Sequence, residues 1–82
     1  MRVKDIRVGG LERGNVIEIV RKSEKSGRMY YYLESEKRDG QMVMLVARER
    51  SARDSYRGVC SIGLKDIKRI TLYPLDFVVW EN

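Results

Sequence analysis

The 82-residue chain contains no histidine, one cysteine and one proline. Without histidine it lacks the side chain that most often serves as a general base or a metal ligand. A single cysteine, Cys60, forms no internal disulfide, and within an apolar strand a small buried thiol is a better interpretation than a nucleophile. Its glycines also lack the spacing of a phosphate-binding loop. These absences predict a protein that is not an enzyme and uses no cofactor and no metal ion.

Long apolar runs are absent as well. The longest uncharged one, residues 42–47, is far too short to cross a bilayer, and no apolar stretch follows the basic N-terminus as a signal peptide requires. We therefore expect a cytoplasmic protein with no membrane partner. The length leaves no room for a second core, so residues 1–82 are predicted to form a single small domain.

Positive charge, by contrast, is abundant. Lysine and arginine number 17 against 12 acidic residues, which gives a formal net charge of +5. Residues 48–57 hold four arginines against Glu49 and Asp54. Such a field attracts polyanions, although a mixed-sign surface typical of a small soluble protein is the alternative interpretation.

Turn residues divide the chain into short segments rich in β-branched and aromatic side chains, which predict strands. Asp39-Gly40 between two apolar runs is a strong hairpin signal. Apolar residues recur at every third position from Leu64 to Ile70, which predicts one short 3₁₀ turn. Residues 50–57 lack a clear period and are predicted to form a long loop, with a short helix as the alternative. The strands are predicted at residues 15–22, 28–35, 41–49, 59–64, 70–73 and 77–80.

These elements predict an all-β fold, a small five- to six-stranded antiparallel barrel or curled sheet. The opening segment 11–19, three strands joined by hairpins, and residues 63–67 leading to the last strands together resemble the SH3-like and Sm-like small barrels. Such barrels include nucleic-acid binders, ring-forming oligomers and peptide-binding adaptors, so the resemblance does not select a function.

Side chains alternate between the two faces of a strand. This alternation places Met29, Tyr31 and Leu33 on one face of the second predicted strand, and Tyr30 and Tyr32 beside Arg28 on the other. Rings and guanidinium planes stack on bases while cations contact phosphates, so this second face predicts binding of DNA or RNA. A tight turn between residues 38 and 39 would pair Tyr30 with Ala47 and bring the basic segment beside the tyrosines. The predicted nucleic-acid-binding residues are Arg28, Tyr30, Tyr32, Arg48, Arg50, Arg53, Tyr56 and Arg57.

Two alternatives accompany this hypothesis. Tyr30 and Tyr32 could instead cover a second apolar layer, so that both faces of the hairpin are buried, and the arginine segment could be a solvated mobile loop. Apolar residues that a small domain fails to bury would mark a contact with a protein partner or a second copy of the chain. The residues predicted for such a protein interface are Met42, Met44, Val46, Phe77, Val79 and Trp80.

Overall fold

The computed structural model describes residues 10–81, and in this range the chain is all-β with one short 3₁₀ turn, Leu64–Asp66. No helix of the described residues has the length and apolar character needed to span a membrane. The strands are β1 Val16–Arg21, β2 Arg28–Arg38, β3 Gln41–Ala47, β4 Glu49–Ala52, β5 Ser55–Arg57, β6 Cys60–Gly63, β7 Ile67–Tyr73 and β8 Phe77–Glu81.

Six of the strands form one antiparallel sheet in the order β6-β3-β2-β1-β7-β8, and β4 pairs with β5 in a separate two-stranded hairpin. Between residues 10 and 81 the edge strands β6 and β8 do not pair with each other, so the hydrogen-bonded ladder is open. The predicted all-β class is confirmed. The described residues form no closed SH3-like or Sm-like barrel, and that resemblance stays a prediction.

The β2–β3 hairpin turns at Asp39 and Gly40, as the sequence predicts. Both residues have positive φ, 51° and 80°, which is the combination that a two-residue type I′ turn requires and that glycine and aspartate tolerate. The predicted pairing of Tyr30 with Ala47 is wrong, however, because Tyr31 lies opposite Ala47. The turn is centred one residue later than predicted, and a bulge between Tyr32 and Glu34 shifts the remaining pairs.

That bulge also alters which side chains enter the core. Tyr30 and Tyr32 are 7% and 5% exposed, and Leu33 is buried although strict alternation predicted it on the opposite face. The tyrosines belong to the same hydrophobic cluster as Met44 and Val46, as the alternative interpretation proposed. Other members of the cluster are Leu11, Ile17, Ile19, Ile62, Ile67, Ile70, Val79 and Trp80.

The predicted loop at residues 50–57 is wrong, since β4 and β5 form a hairpin there. Polar side chains hold it rather than an apolar face. Arg50 Nη2 donates to the backbone carbonyl of Arg53 at 2.8 Å, and the Ser51 and Ser55 hydroxyls are hydrogen-bonded at 2.9 Å. Because these bonds join polar residues three and four apart, the segment shows no hydrophobic period.

A candidate nucleic-acid interface

Two of the predicted stacking residues lie in the core. Since Tyr30 and Tyr32 are buried, they form no free aromatic face, and the prediction of a platform built on them is wrong. The Tyr32 hydroxyl is hydrogen-bonded to the Ser35 hydroxyl at 2.7 Å, which satisfies its polar end inside the fold. Arg28 is exposed and forms an ion pair with Glu24 at 3.6 Å.

A different pair of tyrosines meets on the opposite face of β2. The half-buried rings of Tyr31 and Tyr56 have centroids 6.1 Å apart and planes inclined at 55°, within the range for a favourable tilted aromatic pair. Tyr56 comes from β5, where it lies opposite Arg50 of β4. The pair therefore joins the small hairpin to the outer surface of the main sheet.

A tight turn just before β1 brings a further arginine to Tyr56. The Asn15 side-chain oxygen accepts a hydrogen bond from the Glu12 backbone N–H at 2.8 Å, and the Asn15 N–H donates to the Glu12 carbonyl at 3.0 Å. Gly14 then donates its N–H to the Tyr32 carbonyl at 2.7 Å, which fixes the turn against β2. Arg13 is thus held by backbone hydrogen bonds on both sides rather than by its own side chain.

Gly14 leaves room for the Tyr56 hydroxyl to pack against the turn. Its φ of 96° is in the left-handed region, and a Cβ at this position would lie 3.2 Å from the Tyr56 hydroxyl oxygen. A side chain at this position would be strained by the backbone conformation and would require the Tyr56 hydroxyl to shift by a few tenths of an ångström. The phenol consequently rests directly on the turn that carries Arg13.

The result is one aromatic ring with two cations in contact with it. The guanidinium carbons of Arg13 and Arg50 lie 5.4 Å and 5.6 Å from the centroid of the Tyr56 ring, within cation–π range. We call Arg13, Tyr31, Arg50 and Tyr56 the arginine–tyrosine cluster. Each cation–π contact at such an exposed site stabilises the arrangement by about 0.5–1 kcal/mol.

Three further arginines, all exposed, extend the positive charge along the hairpin, and together with the cluster they form what we call the basic face. Among residues 10–81, no carboxylate lies within ion-pair distance of any arginine in this face. Their charges are therefore not neutralised by a carboxylate of the described residues. The three additional residues are Arg48, Arg53 and Arg57.

An open groove of about 680 Å³ adjoins the basic face at the start of β2. Its volume lies within the range of small-molecule sites. It combines cations, one carboxylate and apolar surface, including the half-exposed side chain of Met29. The residues that line it are Arg28, Met29, Tyr30, Arg48, Glu49 and Gly58.

The predicted protein interface is largely internal. Met44, Val46, Val79 and Trp80 are buried in the core, so their assignment to an exposed contact surface is wrong. Met42 is half-buried, and Phe77 is 42% exposed. The apolar side chains that are exposed beside Phe77 are Leu75 and Val78.

Sequence reasoning included Arg50 and Tyr56 but missed Arg13 and Tyr31. Alternation did place Tyr31 opposite Tyr30, which was the available signal for its outward orientation. Arg13 had no such signal, because its proximity to Tyr56 depends on contacts between residues far apart in the chain. Within residues 10–81 no three cysteine or carboxylate side chains converge as metal ligands would. No family model matches the chain, and no curated protein or solved structure is significantly similar to it.

Proposed function

We propose that this protein is a non-enzymatic nucleic-acid-binding module that acts in the cytoplasm through its basic face. The observation that carries the proposal is the position of Tyr56, whose ring contacts the guanidinium groups of Arg13 and Arg50 and packs on Tyr31. An aromatic ring flanked by guanidinium groups offers a stacking surface for a base and cations for the adjoining phosphates.

The charge distribution supports this function. Arg48, Arg53 and Arg57 have no ion-pair partner among the described residues, so a phosphate would meet cations that are not already neutralised. Glu49 and Asp54 are the carboxylates of the same hairpin, which leaves the segment 48–57 with a net charge of +2. Backbone phosphates are the polyanion that such a surface fits, since each arginine offers several donors in a planar fork.

The expected binding is salt-sensitive and driven mainly by the phosphate backbone. Each phosphate neutralised by a cation releases counterions, so affinity falls steeply as the salt concentration rises. One stacking ring and its neighbour Tyr31 supply only a modest contribution from bases. Sequence preference from the basic face alone is therefore weak.

Fluorescence anisotropy tests the proposal. Labelled single-stranded RNA, single-stranded DNA and duplex DNA are titrated with the protein at about 50 mM and about 200 mM salt. We expect micromolar or tighter binding to at least one polymer, with a marked loss of affinity at the higher salt concentration. Absence of binding to all three at the lower concentration contradicts the proposed function.

A second candidate function, contact with a protein partner or with another copy of the chain, rests on a different surface. Leu75 is 73% exposed in the turn before β8, and the exposed side chains of Phe77 and Val78 follow in β8. Exposed apolar side chains grouped in this way are typical of a protein-contact surface. Light scattering at low micromolar concentration tests it: a dimer that Phe77→Ser converts to monomer supports this function, and a monomeric wild type contradicts self-association.

A further inference from the structure

The groove beside the basic face has features that the proposed backbone contacts do not require. Arg28 and Arg48 line it together with Glu49, and Met29 contributes an apolar side chain that is 50% exposed. A groove for phosphates alone would gain nothing from a carboxylate, which repels them. Glu49 therefore points to a ligand that also donates hydrogen bonds.

Position in the fold connects this groove to the arginine–tyrosine cluster. Arg48 both lines the groove and belongs to the basic face, and Glu49 and Arg50 follow it in the chain. The basic face and the groove therefore share Arg48 and are contiguous at that residue.

An unpaired base is the part of a nucleic acid that fits such a groove. Its ring can pack against an apolar side chain such as Met29, while Arg28 and Arg48, which line the same groove, offer guanidinium groups to the adjoining phosphates. In a duplex the Watson–Crick edges are occupied by pairing, so a paired base cannot present that edge to Glu49. The groove accordingly favours single strands.

The carboxylate further distinguishes among bases. Guanine carries two adjacent donors, N1–H and the N2 amino group, on its Watson–Crick edge, and these match the two oxygens of a carboxylate. Uracil offers one N–H between two carbonyl oxygens, which a carboxylate repels. Adenine and cytosine each place an acceptor beside their amino group and allow one hydrogen bond.

We propose that the groove binds an unpaired guanine, with Glu49 as the specificity-determining residue. This inference rests on the proposed function, since it assigns a preferred ligand to the same surface. It predicts that single strands containing guanine bind more tightly than those containing only uracil.

The test compares two labelled RNA strands of about ten nucleotides, a length within the range of single-strand sites. One is entirely uridine, and the other carries a single guanosine in its middle. The quantity of interest is the ratio of their dissociation constants. We expect the guanosine strand to bind at least about fivefold more tightly, which corresponds to about 1 kcal/mol.

Glu49→Gln and Asp54→Asn provide the variant and its matched control. Each removes one exposed carboxylate from the same hairpin and changes the net charge equally, but Asp54 is not among the residues that line the groove. We expect Glu49→Gln to reduce the ratio to near one while Asp54→Asn keeps it. Both variants should bind the uridine strand at least as well as the wild type does, because each has gained net positive charge.

The outcomes separate the two proposals. Equal binding of both strands by the wild type overturns the guanine site but leaves nucleic-acid binding intact. A preference that survives Glu49→Gln, or one that Asp54→Asn removes equally, also overturns the assignment of Glu49. Failure of the wild type to bind either RNA strand overturns the guanine site, whereas the proposed function is contradicted only if single-stranded and duplex DNA also fail to bind.

Discussion

Arg50 and Tyr56 lie opposite each other across the β4–β5 hairpin, and the guanidinium carbon of Arg50 is 5.6 Å from the centroid of the Tyr56 ring. The same guanidinium donates to the backbone carbonyl of Arg53 at 2.8 Å. Arg50 therefore closes the hairpin turn while it holds the ring in place. Because of this double role, Tyr56 is a better residue than Arg50 for testing the surface. Replacement of Tyr56 leaves the hydrogen bond from Arg50 to the Arg53 carbonyl intact.

Replacement of Tyr56 by alanine should weaken binding of single-stranded nucleic acid by about 1–3 kcal/mol, the contribution of one stacked base. Tyr56→Phe keeps the ring and should bind nearly as well as the wild type. Anisotropy titrations of both variants at one salt concentration provide the measurement. An affinity of Tyr56→Ala equal to that of the wild type would remove this ring from the interface.

Gly14→Ala should reduce both stability and binding, whereas Gly40→Ala should reduce stability alone. Both glycines have positive φ, 96° and 80°, so a Cβ at either position costs about 1–2 kcal/mol. Only the Cβ at Gly14 approaches Tyr56, because no heavy atom lies within 4 Å of the one at Gly40. Chemical denaturation and anisotropy are measured on both variants, and equal affinities of the two would contradict the contact between the turn and Tyr56.

Tyr30→Ala and Tyr32→Ala should each lower the free energy of unfolding by about 3–5 kcal/mol, as expected for loss of a large buried ring. Tyr31→Ala should cost less, because its ring is half-buried on the outer face. Urea denaturation of the three variants gives the comparison. If Tyr30→Ala and Tyr32→Ala unfold no more readily than Tyr31→Ala, the assignment of faces in β2 is wrong.

Tyr73 provides a prediction for pH. Burial raises the pKa of its phenol, and the Glu18 carboxylate, which accepts a hydrogen bond from the phenol at 3.2 Å, raises it further. Since this pKa is higher in the folded chain than in the unfolded chain, the stabilisation is present below about pH 10 and is lost as the pH rises through the folded value.

The measurement is the free energy of unfolding of the wild type and of Tyr73→Phe over the alkaline range. Other groups titrate in both proteins, so the difference between the two curves isolates this phenol. We expect the wild-type curve to fall more steeply with pH above about 10. Parallel curves would show that Glu18 and Tyr73 do not interact in solution.

Several parts of the fold follow from local chemistry and are predictable from the sequence. Asp39-Gly40 specifies a two-residue turn, and β-branched and aromatic residues specify β1, β2 and β3 on either side of it. Spacing by three predicts the 3₁₀ turn after β6. The residues that determine each of these elements are close together in the sequence, so local sequence patterns are sufficient to predict them.

The remaining features depend on interactions that no local pattern encodes. The bulge after Tyr32 moves Leu33 into the core, and strict alternation cannot foresee it. The β4–β5 hairpin is held by Arg50 and by serine hydroxyls rather than by an apolar face, so it resembles a loop in sequence. Arg13 lies at the site because its turn contacts Tyr56 of β5. The two segments are far apart in the sequence, so no local pattern predicts this contact.

The most direct test of the basic face compares two double variants of equal charge. Arg53→Ala with Arg57→Ala removes two cations from the β4–β5 hairpin. Lys65→Ala with Lys68→Ala removes two exposed cations outside the hairpin, one from the 3₁₀ turn after β6 and one from β7. Both doubles lower the net charge by two, so long-range attraction changes equally in them.

Affinity for single-stranded RNA is measured by anisotropy at several salt concentrations, with thermal unfolding to verify that both doubles are folded. We predict that the double arginine variant loses substantially more affinity than the double lysine variant, which stays close to the wild type. The salt dependence of the double arginine variant should also become shallower, by an amount that corresponds to about two phosphate contacts. Equal losses in the two doubles would mean that net charge alone attracts the RNA and would contradict a defined binding face.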